Sequence, residues 1–151
     1  MKKIWTTENF EEMSWHDCAV HGFLIAEAEE PGCGELTFQV DFILEWLNSS
    51  SGNYEFRIVP VELVFHSVFN LKVEINYESV SAAIQPFSIG EIKRETTIKN
   101  GIDLTLWSLE IDWPAGLIQF TSSGFTQTEI GNSIVSKRQF LSHLEREKLI
   151  A

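Results

Sequence analysis

The amino-acid sequence predicts a mainly β fold, an antiparallel barrel or sandwich with a short N-terminal helix and a C-terminal helix. Three observations carry this. Glu35–Trp46 alternates for twelve residues: Leu36, Phe38, Val40, Phe42, Leu44 and Trp46 share one face, and Glu35, Thr37, Gln39, Asp41, Ile43 and Glu45 the other. That is the period of a strand with one buried face and one wet, acidic face. Further short apolar runs are separated by turn-forming clusters, the pattern of an all-β domain. Finally, 44% apolar residues with 11 Phe, 5 Trp and 2 Tyr can fill the core of a single domain over residues 1–151 without disulfide or metal.

The elements follow in order. A short helix opens the chain, with Thr7 as its cap, Glu8, Glu11 and Glu12 complementing its positive end, and Phe10 and Met13 on its apolar side. Strands are expected at about 17–29, 35–47, 54–65 and 68–78, the first two joined as a hairpin around Pro31–Gly34. The polar run Asn48–Asn53 is a loop. Pro60 lies within the third of these strands and cannot donate to a ladder, so that strand is expected at a sheet edge or at a bulge. Ile84, Phe87, Ile89 and Ile92 indicate a strand or a bent pair before the Asn100-Gly101 turn, and strands are expected at about 102–111, 116–122 and 124–130. From Ser136 the tail reads as a helix, with Ser136 and Gln139 as a capping box and Phe140, Leu141 and Leu144 as its apolar stripe. A C-terminal helix packed across one face of an α+β sheet is the alternative architecture.

The formal net charge of −11 is uneven: residues 1–75 hold 4 basic and 13 acidic side chains, residues 76–151 hold 7 and 9. Such a surface repels phosphate backbones, which argues against nucleic acid, and suits a basic protein partner. No run of residues has the length and apolarity of a membrane span, and the first residues lack an export-signal pattern, so a cytoplasmic protein with reduced Cys18 and Cys33 is expected.

Trp15-His16-Asp17 is the densest group of chemically versatile side chains. A hairpin centred between Gly32 and Cys33 would set position 17 across from roughly position 48, and position 21 across from roughly position 44. Trp15, His16 and Asp17 would then gather at one end with Glu45 and Trp46, as a ligand site or as closure of the core. Asp41 and Glu45 are expected on one strand face, roughly 13 Å apart, too far for paired-carboxylate glycoside hydrolysis. His16, Asp17, His21, Asp41, Glu45, Glu62 and His66 offer metal donors but in no ligand spacing, so neither metal nor cofactor is assigned. No nucleophile elbow or phosphate cradle is present, and no catalytic residue is assigned.

Trp15-His16-Asp17, Asp41–Trp46, Pro60–Phe65 leading into Asn70–Val73, Trp107, Gly116–Phe120 and Gly124–Gln127 together resemble a group of small uncharacterised bacterial proteins. These are similar in character to immunity proteins that neutralise polymorphic toxins. The resemblance implies a cytoplasmic binding protein, and no functional residue is carried over from it. The resulting expectation is a non-enzymatic protein whose acidic sheet face, centred on Asp41 and Glu45, docks a basic partner with Trp46 or Trp113 as aromatic anchor. Two alternatives remain: a ligand- or metal-binding β domain, with or without hydrolytic activity, at the Trp15–Asp17/Trp46 end, and a homo-oligomer that covers the Pro60 strand.

Overall fold

The computed structural model describes residues 2–30, 33–48, 52–78 and 83–151. The strands are β1 (Ile4–Thr6), β2 (Ala19–Glu27), β3 (Gly34–Asn48), β4 (Tyr54–His66), β5 (Phe69–Ile75), β6 (Phe87–Lys99), β7 (Ile102–Trp113), β8 (Gly116–Thr121), β9 (Gly124–Glu129) and β10 (Ile134–Ser136). A 3₁₀ helix spans Thr7–Glu12 and the C-terminal helix α1 spans His143–Ile150. The strands form one antiparallel sheet in the order β1-β9-β4-β3-β2-β6-β7-β8-β5, with β10 beside β4. The sheet does not close into a barrel. It wraps around a common core instead, so that rings from distant strands meet: Phe65 of β4 lies 4.7 Å from Phe120 of β8 and 5.2 Å from Trp107 of β7.

The alternating residues of β3 build that core. Leu36, Phe38, Val40 and Phe42 pair with Phe65, Leu63, Val61 and Val59 of β4, and all eight are buried. The Asn100-Gly101 turn joins β6 to β7 with both residues at positive φ, the requirement that favours Asn and Gly there. Pro60 is not at an edge, because β4 lies between β3 on one side and β9 and β10 on the other. β9 pairs with Val61–His66 and β10 with Phe56–Ile58, and Pro60 falls in the break between them. Its carbonyl accepts from Ile130 N at 3.0 Å, so the side lacking an N–H faces this break. The edge that a second copy was expected to cover is therefore internal.

Three further expectations are corrected. The first helix is a 3₁₀ turn in which Thr7 is already inside; Thr6 N donates to Asn9 Oδ1, and Thr7 Oγ1 accepts from Phe125 N. Ser136 ends strand β10, and the capping box that starts α1 is Ser142 with Glu145. The β2–β3 pairing runs Ala19↔Asp41 to Glu27↔Gly34, about four residues from the register expected of a turn centred on Gly32 and Cys33. Pro31 and Gly32 themselves lie outside the described residues, as do 49–51 of the polar loop.

Candidate functional site

Trp15, His16 and Asp17 form a tight turn closed by Cys18 N donating to Trp15 O at 3.0 Å, with Asp17 at φ +64°. The turn is fastened to an irregular stretch of β6, where the register with β7 shifts on both sides of Ile89. Asp17 N donates to Ile89 O at 2.8 Å, and the His16 ring contacts Gly90 O through Nδ1 at 3.0 Å. Since a carbonyl only accepts, Nδ1 carries the proton and Nε2 faces Asp17 Oδ2 at 3.4 Å. The Gly90 bond is the main reason the His16 pKa is raised, opposed by partial burial and reinforced by the charges of Asp17, Asp112 and Glu91.

Trp15 is a core residue. It is 3% exposed, its Nε1 donates to Gln127 Oε1 at 2.8 Å, and its ring packs on Phe10, Phe42 and Phe125. His16 and Asp17 are its solvent-facing neighbours and border three clefts. One of about 400 Å³ lies between His16, Phe10 and Glu91; a second of about 400 Å³ lies between Asp17, Asp112, Trp113 and Phe140; a third of about 330 Å³ lies between His16, Phe42 and Trp46. Trp46 and Trp113 are 46% and 43% exposed. This end of the molecule therefore combines exposed carboxylates with accessible indoles; His16 shares one cleft with Trp46, and Asp17 shares another with Trp113. Glu91, Asp112 and Trp113 complete it. Trp113 was legible as an exposed aromatic; the two carboxylates were not, since only the β6–β7 pairing brings them to this turn.

Asp41 and Glu45 do not share a face. The register of β3 slips between Ile43 and Glu45, so Asp41 pairs with Pro60 but Glu45 with Arg57. Paired residues share a face, and positions 60 and 57 of one strand lie on opposite faces. Glu45 is exposed and bonded to Arg57 Nε at 3.0 Å. Asp41 is fully buried beneath the C-terminal segment. Its Oδ1 accepts from Arg146 Nη1, and its Oδ2 accepts from Leu141 N at 2.8 Å and lies 2.6 Å from His21 Nε2. The expected wet acidic face thus lacks its central residue, which instead ties the tail to the sheet. His21 reaches Asp41 because it is the extra residue where the β2 register shifts between Val20 and Gly22.

Among the described residues no three His, Cys, Asp or Glu side chains converge on a metal-sized site. Neither cysteine is in a disulfide. Burial pushes the Cys18 thiol up to about 12, so it is no nucleophile at neutral pH. No helix of the described residues is long and apolar enough to cross a membrane. No family model matches the chain, and no curated protein or solved structure matches it either.

Proposed function

We propose that the chain is a non-enzymatic binding protein that docks a basic protein partner on the end built around the 15–17 turn. The observation that carries this reading is the gathering of Asp17, Glu91 and Asp112 around His16, between the half-exposed indoles of Trp46 and Trp113. Carboxylates in an acidic protein speed the encounter with a cationic surface, and half-buried tryptophans beside clefts hold it once formed. Glu45 borders this region beside Trp46 on β3; Asp41 has no place in the docking surface. The sharper form of the reading is an immunity-like protein that neutralises a basic toxin in the cytoplasm, in keeping with the small size, the acidity and the resemblance noted above.

Trp46→Ala and Trp113→Ala test the anchors, because both side chains are largely outside the core. Each is expected to leave the circular dichroism spectrum and melting temperature near those of the parent and to shorten the lifetime of the partner complex in surface plasmon resonance. A partner complex whose dissociation rate is unchanged by both substitutions would overturn the assignment.

A further inference from the structure

The two ends of the sheet differ in what they leave open. β1, at one end, is three residues long; β5, at the other, is seven residues long and pairs only with β8 among the described residues. The register of β5 with β8 is regular from Lys72↔Gln119 to Ile75↔Gly116, and Asn76 N donates to Ala115 O at 3.0 Å just past it. Backbone groups alternate sides along a strand, so Lys72, Glu74 and Asn76 direct their N–H and C=O groups at β8. Val73 and Ile75 direct theirs to the open side. A strand laid along that side meets donors and acceptors already in line.

The side chains of β5 restrict which strand fits. Val73 is 40% exposed, while Leu71 and Ile75 are half-buried against the core. Lys72 and Glu74 are exposed on the opposite face, and neither makes an ion pair among the described residues. An exposed lysine on an edge strand discourages most strands from pairing there, because it needs an anion opposite. The run Asn70-Leu71-Lys72-Val73-Glu74-Ile75-Asn76 supplies that anion itself. Set antiparallel to a second copy about Val73, it brings Lys72 opposite Glu74, Leu71 opposite Ile75 and Asn70 opposite Asn76. Val73 also has its N–H and C=O on the open side, so its two copies can exchange both hydrogen bonds across a two-fold axis. Lys72 and Glu74 then occupy non-hydrogen-bonded pairs, where opposed side chains come closest. Charge order and backbone direction are independent, and both select this register.

We propose that β5 pairs antiparallel with β5 of a second copy of this chain, centred on Val73, so that two sheets join across a two-fold axis. The occupant is the chain itself because one strand carries both halves of the charge pattern. Such a contact closes at two copies and leaves neither β5 edge free. The inference does not depend on the docking reading, since no residue of β5 lines the clefts at the 15–17 turn.

Sedimentation equilibrium of the full chain at physiological salt, where long-range repulsion between acidic copies is screened, tests the pairing. The average mass is expected to rise with concentration from 17.2 kDa toward twice that value. Lys72→Glu and Glu74→Lys each oppose like charges on both sides of the axis and are expected to weaken dimerisation about tenfold. The double variant Lys72→Glu/Glu74→Lys restores opposite charges and is expected to dimerise as the parent does. Both positions are exposed, which separates loss of pairing from loss of fold. Hydrogen exchange gives a second reading: the Val73 amide is expected to slow as the parent is concentrated, and to slow less in either single variant. A parent at monomer mass at every concentration, which would leave this edge to a strand of another protein, would overturn the assignment. So would a double variant no tighter than the single ones, or dimerisation without protection of the Val73 amide.

Discussion

At the scale of single residues, the two cysteines and His16 show how environment sets chemistry. Cys18 is fully buried, with Ile43 N directed at its sulfur, whereas Cys33 is partly exposed near the end of the β2–β3 hairpin. Iodoacetamide at neutral pH is therefore expected to modify Cys33 alone in the folded protein and both thiols after unfolding in guanidinium, as read by mass spectrometry. His16 makes a pH prediction. Its pKa is raised in the folded state, so it contributes stability below its ordinary value near 6.5, and this is lost as pH rises through the raised value. Its proton also adds positive charge amid Asp17, Glu91 and Asp112, which opposes a cationic partner. Partner affinity is therefore expected to fall on acidification from about pH 8 to about pH 6, and His16→Gln to remove most of that dependence. An identical pH profile in the variant would show that His16 does not face the partner.

At the scale of elements, α1 is held less by an apolar stripe than by one buried ion pair. Leu144 is 68% exposed, while Arg146, near the middle of the helix, is 5% exposed and bonded to Asp41 Oδ1 and to Val40 O. Removing one member of a buried pair leaves the other desolvated and alone, at a cost of roughly 3–5 kcal/mol. Asp41→Asn and Arg146→Met are each expected to lower the urea midpoint. The double variant should lose less than the sum, because neither charge is then left unpaired. Additive losses would show that the pair is not the fastening. The strands of the main core were legible from sequence because alternation and turn chemistry are local. The role of Asp41 was not, since it depends on Arg146, 105 residues away. The separation of Asp41 from Glu45 was equally hidden: the run from Glu35 to Trp46 keeps its alternation in sequence, and only the register with β4 reveals the slip at Leu44. The start of α1 was misplaced because Ser136-x-x-Gln139 imitates a capping box six residues too early, ahead of the functioning pair Ser142 and Glu145.

At the scale of the whole molecule, an incompletely closed sheet leaves its ends and margins open for binding while its core is fixed by aromatic packing. The acidic character read from composition is retained, but its location changes. The proposed docking surface lies not on one face of β3 but at the end where β2, β6 and β7 meet, and the buried carboxylate Asp41 serves the fold. Composition limits what the chain can attract, whereas pairing registers decide where. The most direct test of this relocated surface is native mass spectrometry of complexes captured at low salt from the protein's own host. It compares the parent, Glu91→Lys/Asp112→Lys, and the charge-matched control Glu27→Lys/Glu29→Lys at exposed positions at and just beyond the far end of β2. The account predicts one stoichiometric basic protein on the parent and on the control, and its loss from the Glu91/Asp112 variant. A parent without a basic partner, or equal capture by all three folded proteins, would contradict it.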